Sequence, residues 1–71
     1  MSDEIKALIK AIYGDTKPGW VNLKPYQRDQ HLRDEYMRLR KQFGLSAKMA
    51  KQVLSELINR APETLQKILY A

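Results

Sequence analysis

The chain has 71 residues, no cysteine and a formal net charge of +5. That length suits one domain, and the lack of cysteine excludes disulfides and thiolate metal sites as staples. With 44% apolar and 30% charged residues the chain is globular rather than disordered, and it holds no apolar run near the roughly 18 residues of a membrane span. Only three Gly and three Pro stand among many Ala, Leu, Ile, Lys, Arg and Gln, a mix that favours helices. The opening Met-Ser-Asp-Glu is not a basic-then-apolar leader, so the expected location is cytoplasmic. At this size ordering costs on the order of 1.5 kcal/mol per residue, which a small core barely offsets. Self-association is the remaining common source of burial, and a homodimer is expected.

The first helix is expected over about residues 3–13. Ser2 can cap it, and Asp3 and Glu4 suit the positive end of its dipole. Ile5, Leu8, Ile9 and Ile12 fall at i, i+3, i+4 and i+7, a single apolar stripe. Gly14 ends it. The connection that follows holds Pro18-Gly19, a turn signal, and Trp20, Val21 and Leu23, which should fold back on the core.

Pro25 fits the first position of a second helix, where its missing N–H costs nothing. That helix is expected over about 25–43, with Leu32, Tyr36, Leu39 and Phe43 as its apolar face. Asp29 with Arg33 and Asp34 with Arg38 are four apart in the favourable acid-first order. Gly44 is a natural stop and Ser46 a natural cap for a third helix, expected over about 47–60. Ala50, Val53, Leu54, Leu57, Ile58 and Ala61 form its broad apolar stripe. Pro62 then starts a fourth helix, expected over about 62–70, with Leu65, Ile68 and Leu69 inward. The pattern predicts an all-α domain of four helices.

Charge is unevenly spread. Residues 24–60 carry nine basic and four acidic groups, whereas residues 1–23 and 61–71 each sum to zero. A basic middle with neutral ends suggests a nucleic-acid partner. The catalytic inventory is thin. His31 is the single histidine and has no neighbouring His or Cys to complete a metal site. Asp34 and Glu35 are adjacent, so on a helix they diverge by about 100°. Neither an enzyme, a metal nor a cofactor is expected.

Helix, glycine turn, helix is also how a helix-turn-helix reads in sequence. With Gly44 as the turn glycine, Leu39, Phe43, Leu45, Ala50 and Val53 take the positions where such units are apolar. This stretch of about 20 residues resembles the helix-turn-helix regulators of bacteria and phages. Its Arg40-Lys-Gln-Phe-Gly-Leu-Ser46 run looks faintly like the turn of the Mor-type phage activators. The resemblance implies sequence-specific binding of double-stranded DNA in transcriptional control. By matching positions, Ser46, Lys48, Lys51, Gln52 and Ser55 would face DNA, with Gln52 the best reader of adenine. Arg33, Arg38 and Lys41 would hold flanking backbone. Arg40 departs from the pattern, which has a small residue where the helices approach. Asp34–Lys41 also looks like a stretch of the Hha/YmoA nucleoid modulators, which bind a DNA-bound partner. There it lies near the N-terminus, and here it is short and mid-chain. The alternative is a phage- or plasmid-type helical module that docks on a host enzyme or DNA-bound regulator through helix one, helix four or Trp20.

Overall fold

The structure, a computed structural model, describes residues 3–70. These form four α-helices and one 3₁₀ turn: α1 Asp3–Tyr13, the turn Gly19–Asn22, α2 Pro25–Lys41, α3 Ala47–Ile58 and α4 Pro62–Leu69. Among the described residues there is no strand. The expected Ser2 cap lies outside them.

Each boundary has a local cause. Gly14 leaves α1 with φ +74°, and its N–H closes on the Lys10 carbonyl at 2.9 Å. Pro25 and Pro62 open α2 and α4, as their fixed φ and missing donor allow. The Ser46 hydroxyl accepts from the Met49 N–H at 3.2 Å and caps α3.

α2 and α3 each end two residues sooner than expected, and α4 one. α2 stops at Lys41, because the chain must bend to reach the left-handed Gly44, whose φ is +66°. The Leu45 N–H then closes on the Leu39 carbonyl at 3.2 Å. Phe43, expected on the apolar face, is turned outward and 44% exposed, with the Arg38 guanidinium over its ring. α3 stops at Ile58, because Asn59 adopts φ 55°, ψ 48°. The Arg60 N–H bonds the Ser55 carbonyl and the Asn59 N–H bonds the Glu56 carbonyl, a Schellman cap. Ala61 leaves the stripe, becomes the cap residue of α4 and is exposed.

α3 is the central helix. It packs against α1, α2 and α4, while α2 also holds α4 and the 3₁₀ turn. Five of its residues, Ala50, Val53, Leu54, Leu57 and Ile58, are buried. They meet Ile5 of α1, Leu32, Tyr36 and Leu39 of α2 and Leu65 of α4 in one core. Burying each large aliphatic side chain stabilises by about 1.5–3 kcal/mol. Trp20 packs half-buried at the edge of this core, its ring stacked on His31 at 6.3 Å between centroids. No helix of the described residues is long and apolar enough to cross a membrane.

Candidate nucleic-acid interface

The turn between α2 and α3 and the first turns of α3 bring several of the expected DNA-facing residues together. Ala47, Lys48, Lys51 and Gln52 of α3 form one wall of a groove of about 550 Å³, and Pro62 and Gln66 of α4 form the other. Lys48 is the single exposed residue of α3. Lys51 and Gln52 are half-buried because α4 runs alongside. The groove walls carry two lysines and no carboxylate. Lys41 and Arg40 are exposed at the end of α2, one turn of chain away.

Several side chains already serve the fold. The Ser46 hydroxyl is held by its cap, and the Ser55 hydroxyl donates to the Gln52 carbonyl at 3.1 Å. Arg33 reaches across to α4, where its Nε donates to the Ile68 carbonyl at 3.2 Å. That carbonyl belongs to the last turn of the helix, where a cation also suits the dipole. Lys51 places its Nζ 5.1 Å above the Tyr70 ring.

Arg38 faces a different side of the molecule. It donates through Nη2 to Glu35 Oε2 at 2.8 Å and through Nε to Oε1, while the Tyr13 hydroxyl of α1 donates to the same carboxylate. The expected pairing of Arg38 with Asp34 is therefore replaced by one with Glu35, three residues away, and Arg33 is drawn from Asp29 to α4. Asp29 instead lies 3.6 Å from its neighbour Arg28. Glu35 is 8% exposed. Burial pushes its carboxyl up, but the hydrogen bonds from Arg38 and Tyr13 outweigh this and leave it below the ordinary value. Burial, then the Glu35 carboxylate, raises the Tyr13 phenol.

Sequence reasoning passed over Tyr36, Arg40 and Tyr70 as site residues. Arg40 does not wedge between the helices. It is exposed, 6.0 Å from the Tyr36 ring, and its Nη1 donates to the Tyr36 hydroxyl at 3.3 Å. The Tyr36 and Tyr70 hydroxyls share a hydrogen bond at 3.4 Å. The spacing of Tyr36 and Arg40, one helical turn apart, was the available signal. Among the described residues no group of His, Cys, Asp and Glu could hold a metal ion.

Comparison with family models, curated proteins and solved structures gives no significant match. The function must be argued from this geometry.

Proposed function

We propose that the chain binds duplex DNA through the first turns of α3, with α2 and α3 as a helix-turn-helix, and regulates transcription as a homodimer. The observation that carries this reading is the acid-free groove: Lys48, Lys51 and Gln52 converge on it, with Lys41 and Arg40 beside it at the turn. Phosphates would meet Lys41, Lys51 and Arg40, while Lys48 would reach a guanine edge and the Gln52 amide an adenine edge. Arg40 supports the reading by lying outside the helix contact, so nothing bulky at that position holds α2 and α3 apart. The burial of α3 limits it. Phosphate contacts must outnumber base contacts, because Lys48 and Gln52 are the best-placed groups for reading.

The test is a fluorescence-anisotropy titration against random and selected duplexes over a series of salt concentrations. Affinity should fall steeply with salt, with a log–log slope of about −0.9 per phosphate held. Lys41→Ala should weaken all duplexes alike and reduce the slope by about 1, and Lys48→Ala should weaken binding and relax discrimination. Gln52→Ala should relax discrimination between sites. Absence of duplex affinity at low salt would overturn the reading.

A second reading, a helical module that docks on another protein, is favoured by one observation. Tyr26 and Met37, eleven residues and so about three turns apart on α2, are 70% and 47% exposed on the same outer face. The expected surfaces on α1 and α4 are less open: Leu8, Ile9, Ile12, Ile68 and Leu69 are half-buried against the core. This mode would be insensitive to salt and to Lys48→Ala, and sensitive to Met37→Asp.

A further inference from the structure

Where the end of α2 and the residue capping α4 meet the first turns of α3, four side chains converge. Tyr36 stands at the centre, 8% exposed. Arg40 lies over its ring and donates to its hydroxyl, Tyr70 shares a hydrogen bond with that hydroxyl, and Lys51 lies over the Tyr70 ring. Both cations lack a carboxylate within ion-pair distance among the described residues. They rest instead on aromatic faces and a phenol oxygen.

The donor count is lopsided. Arg40 brings five N–H groups and Lys51 three, against two phenol oxygens. Whichever tyrosine donates to the other, one phenolic hydrogen is left over. The Tyr36 hydroxyl is more acidic than an ordinary phenol, first because of the Tyr70 hydroxyl and then because of Arg40 and Lys51, which together outweigh its burial. The cluster is a positive, donor-rich site with nothing negative in it. A tetrahedral oxyanion supplies what is missing: several acceptor oxygens and negative charge, which a guanidinium can bind through two N–H groups.

We propose that Tyr36, Arg40, Lys51 and Tyr70 form a phosphate-binding site. Arg40 and Lys51 hold the charge, and the one phenolic hydrogen not used between the tyrosines donates to a remaining oxygen. The phosphate comes either from a DNA backbone, in which case the site rests on the proposed function and places one strand beside the turn, or from a free phosphate compound. A packing cluster that merely pins α4 in place would bind neither.

The experiment is an NMR titration of amide shifts with inorganic phosphate, at constant ionic strength against chloride. Saturable shifts centred on residues 36, 40, 51 and 70 are expected with phosphate and not with chloride. Arg40→Gln with Lys51→Gln should weaken binding at least tenfold while circular dichroism shows the fold intact. Tyr36→Phe, which keeps the ring, should weaken it by a smaller factor. Shifts that do not saturate, or that chloride reproduces, overturn the site, as does a double variant that binds within twofold of the parent. A duplex arm separates the sources. Phosphate competition with duplex, together with weaker duplex binding by Arg40→Gln, assigns the site to the backbone. Duplex binding that Arg40→Gln leaves unchanged, while the parent saturates with phosphate and the double variant does not, assigns it to a free phosphate. Duplex binding that depends on Lys48 without any phosphate saturation overturns this site and leaves the DNA reading standing.

Discussion

Replacing Glu35 with alanine should unfold much of what ties α1 to α2. The carboxylate is 8% exposed and accepts from both the Tyr13 hydroxyl and the Arg38 guanidinium. The Tyr13 bond is partly buried, and a hydrogen bond to a charged acceptor contributes about 1.5–3 kcal/mol. The Arg38 share is smaller, because its side chain is 38% exposed and water can replace the partner. Solvent screening holds that share to about 1 kcal/mol or less. Alanine's better helix propensity returns a few tenths of a kcal/mol, roughly. The net loss is then about 2–3 kcal/mol, a fall in Tm on the order of 10–20 °C for a domain this small. Urea and thermal unfolding followed by circular dichroism at neutral pH read this directly. A double-mutant cycle with Tyr13→Phe isolates the shared bond and should give a coupling of about 1 kcal/mol or more. A loss under about 0.5 kcal/mol for Glu35→Ala, within the range of an ordinary surface change, or strict additivity in the cycle, would refute the reasoning.

The same carboxyl sets an acid limit. Its folded pKa lies below the ordinary 4.5, so its stabilisation is present above about 4.5 and is lost as pH falls through the folded value. Urea midpoints measured from pH 6 to pH 3 should fall more steeply for the parent than for Glu35→Gln. Ser46→Ala removes the cap of α3 and should cost about 1 kcal/mol in the same unfolding assay. Gly44→Ala meets no atom within 4 Å, but its φ of +66° remains. Its loss should therefore be the backbone penalty alone, about 1–2 kcal/mol, and the spectrum of the folded state should be unchanged.

Periodicity made the core legible. Leu32, Leu39, Val53, Leu54, Leu57 and Leu65 all stand on the expected stripes and are fully buried. The punctuation at Gly14, Pro25, Ser46 and Pro62 was equally local, since each acts through its own backbone or the next turn. Phe43 was not legible, because the 3–4 spacing continues through Leu39 to Phe43 after the chain has begun to turn. Asn59 ends α3 through a left-handed conformation that the stripe through Ala61 concealed. Glu35 sits between Leu32 and Leu39 on the inward seam, and the Arg38 guanidinium together with the Tyr13 hydroxyl arriving from α1 makes a carboxylate tolerable there. Arg33, expected beside Asp29, and Lys51, expected to face DNA, find other partners, because the Ile68 carbonyl and the Tyr70 ring are distant in sequence. Side chains that act across helices were thus the part the sequence left open.

The central position of α3 constrains how a DNA reader of this design could achieve specificity. With five residues buried and one exposed, the helix has few groups left for base edges. Lys48 and Gln52 are those groups. Each well-made base contact discriminates by about 1–3 kcal/mol, so one copy would reach about 2–6 kcal/mol. Specific regulators separate their sites from bulk DNA by about 4–10 kcal/mol. Two copies on a two-fold site double the readout and enter that range, whereas one copy stays at or below its lower half. The expected homodimer would therefore carry the readout across that range, where one copy reaches only its low end. Gln52→Ala tests the point quantitatively: a dimer on a symmetric site should lose discrimination twice over, about 2–6 kcal/mol, and a monomer only once. Stoichiometry of the complex at saturation, measured beside that loss, decides between sequence reading by a pair and electrostatic coating by single copies.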